Sequence, residues 1–478
     1  MRATSVFGSM SGALGRVFVR PHPDRFDLAT PAAEQRALAA GWLFLGVLAL
    51  IGAGLFSLLL VLARTPHVAN WIPGVSLFHV ALVVHVDLSV LVWFVSMAGM
   101  LWSLNSTGRW VGLGWLALWT TAIGTLLIAV SPFTGGAVPV MSNYVPVLDS
   151  PVFLYGLAVF GAGFALVTLR AFLASERIGL TLDGPDALRF GLKASAVAAA
   201  VSLIAMGWSI AEVPRVLEAK RYYELLFWGP GHVIQFGWTL LMLVAWAWLA
   251  SLSDAPLPLS ARIVTLVYGI GLLSVFVAPL IYLQWTVVSV EHQRMMTWLM
   301  RFGGGLAILP MVLALGAALI RAPEGCAEQQ PLRAALWTSL ALFCVGGGIG
   351  FLIQGSDVRV PAHYHGSIVG VTLALMGLVY ALLPRLGFRA PGGRLAVVQP
   401  WLYGGGQLLH IVGLVWSGGY GVQRKVAGAG QVLRSTAEVL GMGLMGLGGL
   451  IAIVGGIVFV VVVVRCMLGG AKGLVASR

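Results

Sequence analysis

Residues 360–384 read VPAHYHGSIVGVTLALMGLVYALLP. After His365 this stretch is apolar, carries no charge and is long enough to cross a bilayer as an α-helix. His363 and His365 stand two residues apart at its start. On a helix that spacing is a rotation of about 200°, so the two imidazoles point to opposite sides. One helix can therefore serve two different cofactors. Neutral imidazole suits iron, copper and zinc.

The rest of the chain has the same solvent preference. Of 478 residues, 59% are hydrophobic and only 10% are charged, and mean hydropathy is +0.93. A soluble domain carries about 25% charged residues. This composition excludes a cytosolic enzyme, a nucleic-acid-binding protein and a disordered hub. Twelve apolar stretches are predicted as membrane spans: 39–63, 76–103, 110–131, 151–173, 189–211, 224–251, 261–289, 295–320, 334–354, 362–384, 398–420 and 438–466. The expected fold is an all-α polytopic bundle of twelve transmembrane helices. A tail at 1–37 precedes a single membrane domain at 38–467, and a second tail at 468–478 follows it. The first 35 residues lack the pattern of a cleavable signal and are expected to stay.

The net charge of +12 is spread over short loops. Nineteen Lys and Arg fall on the side of the two termini, and nine opposite: Arg64, Arg215, Lys220, Arg221, Arg294, Arg359, Arg424, Lys425 and Arg434. The positive-inside rule makes both termini cytoplasmic. The outer excess suggests that some of those cations pair with anions. Cys326, Cys344 and Cys466 form no CxxC or CxxCH pattern, which argues against disulfides, zinc knuckles and c-type haem attachment.

Nine histidines are present. His22 and His67 read as solvated. His79, His85, His232, His292, His363 and His365 lie on four spans that all deliver them to the outer half of the bundle. His410, near the middle of span 11, is off this pattern and reads as structural. An ionisable residue in a membrane helix is a functional hypothesis by default. Its plain alternative is a neutral histidine bonded to a neighbouring helix. With no cysteine ligand and an apolar pocket, haem iron is the natural metal.

The 360–384 stretch resembles helix 10 of the catalytic subunit I of the haem-copper oxidase and nitric oxide reductase superfamily. FHVALVVHVDLSVLVWF (78–94) is similar to its helix 2, FWGPGHVIQF (227–236) to its helix 6, and GYGVQRK (419–425) to the basic segment between helices 11 and 12. The resemblance implies that His85 and His365 are axial ligands of a low-spin haem, b-type by expectation. His363 would bind a high-spin haem, and His232 and His292 a second metal opposite it. Arg424 and Lys425 would pair with haem propionates. Asp357 and Arg359 would join that network, or form an ordinary solvated loop pair.

The chain departs from the oxygen-reducing members in two places. Their paired histidines at the end of helix 7 read here as Glu291-His292. If Glu291 is a ligand, two histidines and a carboxylate result, a set favoured by non-haem Fe(II) rather than copper. Its alternative is a helix-end glutamate facing water, paired with Arg294. The tyrosine used in O–O cleavage is absent from both family positions, which hold Phe236 and Trp285; Tyr282 is nearby but off register. Standard nitric oxide reductases instead add a glutamate at the Phe236 position, so neither pattern is matched in full. Proton entry is expected from outside, near Glu212, Glu218, Glu224 and Glu291.

The resulting expectation is a nitric oxide reductase (2 NO to N2O) with a low-spin haem, a high-spin haem and non-haem iron. An oxygen-reducing terminal oxidase with copper is the alternative, and a twelve-span transporter the distant one. The electron donor is expected to be a partner subunit carrying haem c or a cupredoxin-type copper centre. A prokaryotic cytoplasmic membrane is the expected location, with the active site towards its outer face.

Overall fold

A computed structural model describes residues 24–68, 75–355, 357–426 and 431–475. Most of the N-terminal tail, with His22, and the last three residues lie outside that range. Among the described residues the architecture is a bundle of twelve helical rods. These are α1 (Ala33–Arg64), α2 (Leu77–Leu104), α3 (Val111–Phe133), α4 (Pro151–Ala174), α5 (Gly184–Glu212), α6 (Ala219–Leu252), α7 (Ala261–Gln284), α8 (Val290–Arg321), α9 (Gln330–Phe351), α10 (Arg359–Leu382), α11 (Arg394–Gly419) and α12 (Thr436–Gly470). All of these except α11 are long and apolar enough to cross a membrane. In a bilayer a helix satisfies its own backbone groups, which is why apolar stretches of this length take that form. The chain is an integral multi-pass membrane protein.

Helix α11 falls short because its sequence carries two Gln, a His and a run of glycines. Packing rather than apolarity seats it. A side chain on Gly406, Gly413 or Gly448 would strike the backbone of the facing helix in the α11–α12 pair. Small residues let two backbones approach in this way, and dispersion then holds the helices together.

Chain breaks follow local chemistry. Ser150, Asp183, Ser260 and Ser289 each cap a helix by accepting a hydrogen bond from a backbone N–H three residues on. Pro151 and Pro185 sit in the first turns that follow two of these caps. The break at Ser289 corrects two of the expected spans. Span 7 ends at Gln284, Trp285 is extended, and His292 belongs to the first turn of α8. The Ser289 hydroxyl, bonded to the backbone N–H of His292, starts the new helix there. Likewise α1 begins at Ala33, inside the expected tail.

Helices α6 and α10 are central: 83% and 78% of their most apolar windows are buried, against 28% for the peripheral α1. These two carry His232, His363 and His365. Between α3 and α4, strand β1 (Val138–Val140) pairs antiparallel with β2 (Val147–Asp149), with Val140 opposite Val147. The turn of this hairpin lies against the histidine-bearing end of α6. At the opposite end residues 24–28 strap the bundle. The Asp24 carboxylate accepts from Ala261 N, Phe26 N donates to Ser251, and Asp27 pairs with Arg385.

Candidate functional site

His85 lies on α2 immediately before a π-helical turn, Asp87–Val92. Its Nδ1 is 2.9 Å from the Ala53 carbonyl of α1. A carbonyl only accepts, so Nδ1 carries the proton and Nε2 is left as a ligand nitrogen. His363 repeats the pattern, with Nδ1 2.7 Å from the Gly346 carbonyl of α9. Glycine is needed there: at 346 an added Cβ would strike the α10 backbone, and at 350 it would meet the His363 ring at 2.8 Å. His232 repeats it a third time, with Nδ1 2.6 Å from the Trp228 carbonyl one turn back.

His365 lies on α10, beside His410 of α11. Its ring centroid is 4.7 Å from that of His410. His410, a structural residue by the sequence reading, links α11 to α12. Its Nδ1 is held by the Met445 carbonyl of α12, and it packs beside the expected haem ligand.

His232 and His292 stand on the neighbouring helices α6 and α8. His292 is fully buried, and neither of its ring nitrogens has a hydrogen-bond partner. A buried polar atom left in that state costs about 1–3 kcal/mol. Each of the two imidazoles meets a tyrosine ring. Tyr144, from the hairpin turn, is 4.8 Å from His232, and Tyr282, from α7, is 4.7 Å from His292. The WGPGH motif explains how both rings reach α6. A side chain on Gly229 would strike the Tyr282 hydroxyl, and one on Gly231 would strike the Tyr144 ring. The Tyr282 hydroxyl is 2.8 Å from that of Ser209. Glu212 anchors the same corner, accepting from Trp208 Nε1 at 2.7 Å and from Val287 N at 3.0 Å.

Glu291, the carboxylate of the expected ligand set, directly precedes His292 in the chain. It is exposed on the first turn of α8, where a carboxylate complements the helix N-terminus. Among the described residues, no three His, Cys, Asp or Glu gather as a metal-binding group.

The basic segment is also resolved into separate roles. Arg359 grips Asp357 through two nitrogens, with a closest contact of 2.6 Å, and its backbone N–H adds a third bond. Burial opposes ionisation of Asp357, but the Arg359 hydrogen bonds outweigh it and hold the carboxyl below the usual range. Val358 N donates to the Val422 carbonyl, so this pair is tied to the 419–425 segment. Lys425 points elsewhere: its Nζ lies 2.8 Å from the Met141 carbonyl, 3.2 Å from that of Ser142 and 3.3 Å from Asn143 Oδ1. Burial and the neighbouring Arg424, only partly offset by Glu224, lower its ammonium to about 8.

The residues present fit haem and a second metal. Metal-ligating histidines characteristically give their other ring N–H to a carbonyl, which fixes tautomer and orientation. His85, His363 and His232 do this from three different helices, and His292 adds two unused buried nitrogens.

No family model matches the chain. The chain is 27% identical to an uncharacterised protein of Rickettsia prowazekii (strain Madrid E), over 92% of this chain and 98% of that one. It is 28% identical to an uncharacterised protein of Aquifex aeolicus (strain VF5), over 75% of this chain and 88% of that one. Among solved structures it matches a cryo-EM structure of a haem-copper terminal oxidase dimer. The TM-score is 0.70 over 91% of this chain and 84% of that chain, at 17% identity. The fold is therefore that of a haem-copper terminal oxidase chain, and the all-α membrane bundle read from the sequence stands.

Proposed function

We propose that this protein is a membrane oxidoreductase of the haem-copper superfamily that reduces a small diatomic gas. The observation that carries the reading is the shared lock on His85, His363 and His232, each with Nδ1 bound to a main-chain carbonyl and Nε2 left over. His85 and His365 would hold a low-spin haem, His363 a high-spin haem, and His232 with His292 a second metal. When bound, these groups supply electron transfer and Lewis acidity. The chain's own part is to fix the ligand rings, exclude water and place protons. Tyr282, whose ring packs on His292, holds a proton at its hydroxyl, which shares a hydrogen bond with Ser209. Arg424 is the cation read as facing a haem propionate. An external donor, a subunit with haem c or a cupredoxin copper centre, would supply electrons. The cation distribution supports cytoplasmic termini and an outward-facing site.

Nitric oxide and oxygen divide on particular residues. Phe236 and Trp285, where oxidases place tyrosine, favour NO and non-haem iron. Two structural observations favour O2 and copper: the carboxyl of Glu291 is exposed, and Tyr282 stands against His292. The geometry thus supports oxygen reduction better than the sequence alone did, and a Glu291 ligand is left out of the proposal. A haem and metal inventory on the purified complex, with O2 and NO uptake, tests this. Soret and α bands with copper and O2 uptake are expected. Extra iron with NO consumption would restore the NO reading, and a spectrum without haem bands would leave a twelve-span transporter.

A further inference from the structure

Lys425 has an unusual set of constraints for a residue expected to pair with a propionate. Its backbone is left-handed (φ 59°), and its carbonyl is held 3.0 Å from His79 Nε2 of α2. Its Nζ reaches three oxygens of the hairpin turn: the carbonyls of Met141 and Ser142 and Oδ1 of Asn143. An ammonium has three N–H donors and no acceptor. Three oxygens thus match the three donors of the Lys425 ammonium.

The turn that Lys425 grips is pinned on its other side by α6. The Glu224 carboxylate accepts from Asn143 N at 2.9 Å and also from Asn143 Nδ2. The next residue, Tyr144, lies in the close approach that Gly231 permits, with its ring on His232 and its hydroxyl 3.8 Å from Met300 Sδ. Trp228 packs on the same imidazole at 4.9 Å. His232 is thus fixed by two rings and a carbonyl, and one of those rings, Tyr144, comes from a loop rather than a helix.

We propose that Lys425 is a positioning residue for the His232 site. Together with Glu224 it straps the 141–145 turn across the bundle end and seats Tyr144 on His232. Tyr144 then restricts the imidazole to one orientation, with Nε2 available to metal. The metal part of this inference rests on the functional reading above; the strap itself does not.

The test uses the full-length protein in its purified membrane complex. Hydrogen–deuterium exchange over 138–149 is compared in the wild type, Lys425→Met and Glu224→Gln. Both variants are expected to exchange faster there, about tenfold in Lys425→Met, which removes three hydrogen bonds from the turn, and less in Glu224→Gln, which removes one acceptor and the charge that strengthens the other bond. Metal analysis and the electron paramagnetic resonance signal of the second metal are read in parallel. Lys425→Met and Tyr144→Ala are expected to lose several-fold of that metal, with Tyr144→Phe retaining it. The low-spin haem band and its midpoint potential should stay at wild-type values. A shifted midpoint in Lys425→Met with unchanged loop exchange would overturn the proposal and return Lys425 to a propionate. If Lys425→Met fails to fold, Glu224→Gln tests the strap from its other side without removing a cation, and unchanged loop exchange there overturns it. A wild-type complex without haem would sink the functional reading, while the exchange comparison would still decide the strap.

Discussion

Both ring nitrogens of His292 are buried without a partner, three residues beyond a serine that caps α8. Its neighbours in sequence and in space make opposite arguments about chemistry. Glu291 adjoins it in the chain, but the carboxyl is exposed. We expect Glu291→Ala to keep the second metal and most turnover, measured by metal analysis and gas uptake. Loss of the metal would restore the two-histidine, one-carboxylate site. Tyr282 is ten residues away in the chain, yet its ring packs on the imidazole. Tyr282→Phe is expected to cut O2 turnover by about 10²-fold or more, the contribution of a placed proton donor, with haem and metal content unchanged. Equal O2 rates in the variant would remove the argument for oxygen. His85→Ala should abolish the low-spin haem band if Nε2 of that ring, left over by the bond to Ala53, is the axial ligand proposed above; a retained band would remove His85 from the ligand set.

At the scale of elements, α2 and the α11–α12 pair show what apolarity alone does not explain. The π-helical turn of α2 holds Asp87, 1% exposed, with both carboxylate oxygens unpartnered. An unpaired acid in a membrane bundle is costly and is kept for a function or not at all. Asp87→Leu is expected to raise stability by roughly 1–3 kcal/mol, read as a higher midpoint of thermal unfolding in detergent. A lower midpoint would mean that the carboxyl has a stabilising role. In the α11–α12 pair, Gly448 lies against the backbone of His410. Gly448→Val is expected to separate the helices and destabilise the protein by about 1–3 kcal/mol, the cost of overpacking, and to broaden the low-spin haem signal through His410 and His365. A wild-type midpoint would show that this seam is looser than its geometry indicates.

For the whole molecule, the strap at residues 24–28 closes the end remote from the histidines. Asp27 accepts from Trp248 Nε1 at 2.9 Å and pairs with Arg385 at 2.6 Å. Burial opposes its ionisation, but hydrogen bonds from Arg385 and Trp248 outweigh that and lower its pKa. A carboxyl with a lowered folded pKa stabilises fully above its unfolded value, near 4, and loses that contribution as pH falls through the folded value. Asp27→Ala is therefore expected to cost about 1.5–3 kcal/mol at neutral pH, with the gap to wild type closing below about pH 4. A gap independent of pH would show that packing of the strap, not the charge pair, matters.

Much of this was legible in the sequence for definite reasons. Eleven of the expected stretches become helices long and apolar enough to span, because a bilayer leaves such a backbone little choice, while α11 is seated by packing. The His-x-His spacing fixes opposite ring directions on one helix whatever surrounds it. The WGPGH motif was visible as a feature but not what its glycines admit, and the basic 419–425 segment was read for haem propionates, not for the hairpin oxygens that Lys425 meets. The exposure of Glu291, the seating of Tyr144 and Tyr282 beside the two histidines, the pairing of His365 with His410 and the three oxygens around Lys425 join residues 10 to about 280 positions apart. No local pattern encodes such meetings, because they depend on which helix faces lie together and how far two backbones approach. The sequence by itself determined that this is a membrane bundle with histidines at one end. The tertiary structure decided which tyrosines, carboxylates and cations share the space around them, since only packing fixes the distances at which ring contacts and hydrogen bonds act.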